Sequence, residues 1–134
     1  QHAEMLYEFR SDEAEALSIM ERHLNAALEF YRAKGITVTV TLVGDRPCGV
    51  PVDEERWQAM INRANEAALR HYGHGLTHRS GSTDCNVPLS MGIPAICVGC
   101  YEGAGAHTRE EFLEIASVPV GLKITAEIIL QYCV

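Results

Sequence analysis

The chain lacks any apolar run approaching the ~18–20 residues that a bilayer-spanning helix needs. It also lacks a surplus of basic residues: 11 Lys+Arg stand against 18 Asp+Glu, a formal charge of −7. Neutralising phosphates takes clustered cations, so nucleic acid and anionic membrane surfaces are excluded as expected partners. The N-terminal Gln1-His2-Ala3-Glu4 has no basic-then-apolar signal pattern. Cysteines number five, an odd count spread from Cys48 to Cys133. A disulfide scaffold is denser and usually even, so the expectation is reduced thiols in a cytoplasmic protein. Gly81-Ser82-Thr83 lacks the second glycine of a nucleophile elbow, which disfavours serine nucleophile chemistry. Cys97-Val98-Gly99-Cys100 is a lone CxxC, whereas a structural zinc wants a second such pair.

Apolar residues are plentiful: they make up 47% of 134 residues, with 22% charged, the balance of a folded domain rather than a disordered chain. Met5–Phe9 reads as a short strand. Ser11-Asp12-Glu13 supplies a capping hydroxyl and two acids for a helix whose apolar face is Leu17, Met20, Leu24, Leu28 and Tyr31. Gly35 follows, where a left-handed cap is cheap. Ile36–Val43 alternates β-branched apolar residues with threonines and predicts a half-exposed strand.

Residues 44–51 hold two prolines and two glycines and mark a junction. Helical spacing resumes at Trp57, Met60, Ile61, Ala64 and Ala68, with Asp53 as cap and Gly73 as stop. Residues 73–86 read as loop. Ile93–Val98 is a continuous apolar run, as in a strand buried on both faces. The remainder is expected to be helical after a glycine-rich loop, with a new helix opening at Pro119.

Three places carry candidate chemistry. His107 closes the loop Gly103-Ala104-Gly105-Ala106 directly before an expected helix, with Thr108 and Glu111 spaced as a capping box. Such loops after buried strands are where α/β proteins build sites, and neutral imidazole is a zinc donor. The simpler reading is a loop histidine that merely precedes a helix. Ser80-Gly81-Ser82-Thr83-Asp84-Cys85-Asn86 offers backbone amides for a carboxylate and an acid, Asp84, that can ligate a metal or orient a histidine. A plain N-cap is its simpler reading. His71, His74 and His78 cluster around Gly73 and Gly75, either as metal donors or as a polar helix end.

Taken together, Ser80–Asn86, then Pro88-Leu89-Ser90-Met91-Gly92-Ile93-Pro94-Ala95-Ile96, then Ala106-His107-Thr108-Arg109-Glu110-Glu111, resemble the C-terminal signature of a di-zinc hydrolase family. That family includes peptidase T, aminoacylase, acetylornithine deacetylase and succinyl-diaminopimelate desuccinylase. The resemblance implies an α/β fold: residues 47–134 as the C-terminal part of a zinc-peptidase-like α/β domain, and residues 1–46 as the second half of an α+β, ferredoxin-like lid or dimerisation domain. It implies hydrolysis of peptide or N-acyl amino-acid amide bonds by a metal-bound water. His107 matches the family's last zinc ligand, Gly81, Ser82, Thr83 and Asp84 its substrate-lining loop, and Glu111 a supporting acid. The complete family site holds two zinc ions, with cobalt or manganese as substitutes.

The family's other ligands and its general base lie N-terminal to the lid, and this sequence contains no match to them. With the first residue Gln rather than Met, the expectation is a C-terminal fragment, inactive alone, whose partners are the missing N-terminal part and a second copy in a homodimer. A competing reading is a small zinc-dependent binding module built on His71, His74, His78, Cys97 and Cys100. A third is a dimerisation piece without catalysis.

Overall fold

The computed structural model describes residues 2–133. Its element order is α1 (Ala14–Ala33), α2 (Glu54–Tyr72), α3 (Asn86–Ser90), β1 (Gly103–Ala104), β2 (Phe112–Leu113), a 3-10 turn (Ile115–Ser117) and α4 (Val118–Leu130).

α2 forms where its termini are well made. The Asp53 carboxylate accepts a hydrogen bond from the Arg56 amide at 3.0 Å, which satisfies one of the orphan donors of the first turn. Gly73 ends the helix in the left-handed conformation, φ 84°, its amide bonded to the Leu69 carbonyl. α4 opens with Pro119 in its first turn, as its spacing predicts. The two helices pack on each other through Ala67, Ala68 and Ile124, all essentially inaccessible, with Tyr72, Leu76, Val120 and Ile128 around them. Small alanines on one helix let the backbones approach until Ile124 fills the seam. At Gly121 the carbonyl of Cys100 lies where a Cβ would stand, so only glycine admits the chain there.

α1 follows its expected face and ends before Gly35, yet it buries none of its residues. Leu17, Leu24 and Leu28 are half-buried, and Met20 and Tyr31 are exposed. Ser11 accepts from the Glu13 amide at 3.0 Å, but the residue that caps the helix is Glu13, without a side-chain bond.

The expected strands fare differently. Met5–Phe9 and Ile36–Val43 have no ladder partner among the described residues and are exposed apart from half-buried Phe9 and Val38, Leu42 and Val43 at 78% and 79%. Ile93–Val98 is half-buried rather than covered on both faces, because no strand flanks it; α2 anchors it through a bond from Trp57 Nε1 to the Ala95 carbonyl, 3.1 Å. A strand needs hydrogen bonds from a neighbour, and composition alone supplies none. The one sheet among the described residues is an antiparallel pair, Gly103 opposite Leu113 and Ala104 opposite Phe112. Residues 107–113 are therefore not the expected helix: they are the turn and return strand of this hairpin.

The accessible surface is 10918 Å². A folded monomer of this mass exposes on the order of 7,000 Å². Large apolar side chains are exposed along the whole chain, among them Leu6, Leu42, Val43, Met91, Ile115 and Leu122.

Candidate functional site

His107 sits in the turn of the β1–β2 hairpin. Gly105, φ 72°, starts the turn, and a side chain there would press on the Glu110 carbonyl at 3.0 Å. Thr108 Oγ1 donates to the Gly105 carbonyl at 2.7 Å and accepts from the Glu110 amide at 3.3 Å. His107 itself has φ 66°, the one non-glycine residue with positive φ among those described. Side chains avoid that region, so the surrounding bonds hold it there against its preference. One of them is the bond from the His107 amide to Glu111 Oε2, 3.1 Å. The Thr108–Glu111 spacing thus does position the histidine, through a turn rather than a helix cap. The imidazole is exposed and makes no hydrogen bond among the described residues.

The hairpin is tied to α2 at its base. The Glu102 carboxylate beside the Tyr72 phenol, with desolvation and the Glu114 charge, pushes the phenol's pKa up to about 12. The Glu102 amide donates to Ser117 Oγ at 2.8 Å, which links the same base to α4.

The loop Ser80–Asn86 is folded by its own polar side chains. Asn86 Oδ1 accepts from the Thr83 amide at 2.9 Å, and Thr83 Oγ1 from the Cys85 amide at 3.3 Å. The amides of Gly81, Ser82 and Asp84 are not used in these bonds. Asp84 is fully exposed and meets no histidine; its neighbour is Arg46, 3.9 Å away. Arg46 also donates to Ser82 Oγ at 3.1 Å, and Asn86 Nδ2 to the Pro47 carbonyl at 3.1 Å. The junction segment therefore lies along the loop and brings a cation to it. Arg46 carries no sequence signal for this role, because the contact spans 36 positions.

The three histidines of the other cluster do not converge. His71 Nε2 lies 2.7 Å from Glu127 Oε2; an ionised carboxylate only accepts, so that nitrogen carries the proton. His74 Nδ1 donates to the Gly75 carbonyl, 3.1 Å. Asn65 Oδ1 is occupied by the Leu76 amide, so its Nδ2 donates to His78 Nε2 at 3.1 Å, and that nitrogen is an acceptor. Cys97 and Cys100 are free and exposed.

Glu127 was not evident from sequence. It bridges Arg70 and His71 across the α2–α4 seam, beside an open groove of about 520 Å³ that Lys123 also lines. Desolvation raises its pKa, but the His71 hydrogen bond and the Arg70 charge outweigh it and hold the carboxyl below its ordinary range. The visible signal is only an acid four residues after Lys123 in a mostly apolar helix.

Among the described residues no three His, Cys, Asp or Glu side chains stand close enough to hold a metal ion. A catalytic zinc takes about three protein ligands, so this donor set does not complete a site. No described helix is long and apolar enough to cross a membrane. The chain matches no protein-family model, no curated protein and no solved structure.

Proposed function

We propose that this chain is the C-terminal part of a cytoplasmic zinc-dependent peptidase or amidohydrolase, acting on peptide or N-acyl amino-acid amide bonds. In this reading residues 1–46 belong to a lid or dimerisation domain and residues 47–134 to the catalytic α/β domain. His107 supplies one zinc ligand, Gly81, Ser82, Thr83 and Asp84 line the substrate pocket, and Glu111 positions His107. The observation that carries the reading is the Ser80–Glu111 pattern together with an exposed, unbonded imidazole held at φ 66° by the Glu111 carboxylate. Backbone strain of this kind persists where surrounding contacts over-determine it, and it concentrates at functional positions.

The surface excess supports the same reading. An area of several thousand Å² beyond that of a finished monomer is the scale of an obligate interface, and the missing N-terminal part and a second copy of the lid are its occupants. Arg46 beside Ser82 and Asp84 adds a cation suited to a substrate carboxylate. With one ligand of its own, the chain has no hydrolytic activity alone.

The competing zinc-module reading requires His71, His74 and His78, tied to Glu127, Gly75 and Asn65, to converge with Cys97 and Cys100 on one ion, whereas no three such donors stand together among the described residues. A zinc titration followed by histidine ring resonances separates the two. The proposal expects His107 to respond alone and weakly, and no resonance to respond in that way in His107→Ala. Tight, joint response of His71, His74 and His78 contradicts it.

A further inference from the structure

α2 carries a stripe of residues that no part of the proposed hydrolase uses. Arg56, Met60 and Arg63 follow one another at intervals of four and three, so they share one line of the helix. Ile93 and Pro94 face this line from the start of the extended run, and Tyr132 closes it just after α4. The three segments surround an open hollow of about 190 Å³, floored by apolar side chains and flanked by the two guanidiniums. Its walls are held in place. The Ile93 amide bonds to the Pro88 carbonyl at 3.0 Å, and Trp57 Nε1 donates to the Ala95 carbonyl at 3.1 Å. The Tyr132 amide bonds to the Ile129 carbonyl at 3.1 Å. Neither arginine side chain meets a carboxylate or any other hydrogen-bond acceptor among the described residues, although Glu66 stands three positions after Arg63. Arg63 turns instead to Tyr132, its guanidinium carbon 4.6 Å from the ring centroid. Stacking occupies the face of a guanidinium and leaves its edge N–H groups free and already oriented.

We infer that this hollow binds a small organic carboxylate with an aromatic or branched apolar body. The floor of Met60, Ile93 and Pro94 takes the body, and its burial there supplies the apolar part of the affinity. The carboxylate takes the free edge of the Arg63 fork, the geometry in which a guanidinium donates two parallel hydrogen bonds, with Arg56 as a second cation at the rim. Size argues for a small molecule. A cavity of about 150 Å³ holds a benzene ring, so about 190 Å³ accommodates a ring with a short acid arm and little more. The inference stands on α2, the extended run and Tyr132, and it does not rest on zinc, on His107 or on the Ser80–Asn86 loop.

The probe is phenylacetate, titrated into the isotope-labelled full chain and followed by NMR. Phenylacetamide, which has the same ring and no charge, is titrated beside it. The expected result is saturable shifts of the Met60, Arg63, Ile93 and Tyr132 amides, with phenylacetamide weaker by about tenfold or more. Arg63→Gln and Arg56→Gln should each weaken phenylacetate by about tenfold, and Arg63→Lys, which keeps the charge but loses the planar fork, should recover only part of the loss. Arg56 is exposed, so Arg56→Gln keeps the test open where Arg63→Gln disturbs the fold, as circular dichroism would show. Equal binding of acid and amide, affinity unchanged in Arg56→Gln, shifts confined to other residues, or no saturable shift each overturns the inference. Shifts of the same amides that grow with protein concentration in the absence of phenylacetate assign the hollow to a second copy of the chain and overturn it too. Zinc content and hydrolysis enter none of these readouts, so failure of this site and failure of the hydrolase reading are distinct.

Discussion

α1 and α2 are two amphipathic helices of nearly equal length, 20 and 19 residues, and only one of them builds a core. α2 meets α4 across small residues and buries Ala64, Ala67 and Ala68. α1 has larger apolar side chains on its face and buries none. The difference lies in what faces each helix. α4 folds back onto α2 within the same chain, whereas the segments beside α1 in sequence, Met5–Phe9 and Ile36–Val43, pair with nothing described. Amphipathic pattern specifies a face that wants cover, and tertiary partners decide whether it receives any.

That contrast can be broken or sharpened by mutation. Ile124→Ala removes the one large side chain that is fully buried among the described residues and should destabilise the chain by about 2–5 kcal/mol. Met20→Ala, exposed on the apolar face of α1, should change stability by no more than about 0.5 kcal/mol. Urea unfolding of both variants checks the pair; equal effects would mean that α1 is covered after all. Gly121→Ala comes next. Its methyl runs into the Cys100 carbonyl, and the forced shift should cost about 1–3 kcal/mol, read in the same way. Asp53→Ala deletes the α2 cap and should cost ~1 kcal/mol.

The smallest effect tests the polar link across the seam. Glu127 has a depressed pKa in the fold, so its contribution is present above the ordinary carboxylate value of 4.5 and is lost as pH falls through the folded value. The midpoint of urea unfolding should therefore drop on acidification below that value, and Glu127→Gln should flatten that part of the profile. An unchanged acid limb in Glu127→Gln would remove the link from the account.

Local signals carried the helices. Asp53, Gly73, Gly35 and Pro119 marked helix ends because caps and turns are decided within a few residues. Pairing was not legible. Ile36–Val43 has strong β composition, but a ladder depends on a distant neighbour. Thr108 and Glu111 have the spacing of a helix cap, and the positive φ of Gly105 and His107 turned that spacing into a hairpin turn instead. The candidate site was legible to the same degree. His107, Glu111 and the Ser80–Asn86 loop stand out in sequence, while the roles of Arg46 and Glu127 arise only when segments far apart come together.

The central claim is that this chain carries one ligand of a zinc site that other parts of the enzyme complete. Zinc per chain after purification, measured by elemental analysis for the wild type and His107→Ala side by side, tests it most directly. The account predicts near-zero tightly held zinc in both. One or more tightly bound ions in the wild type that disappear in His107→Ala would contradict it, because the chain or a dimer of it would then complete the site by itself.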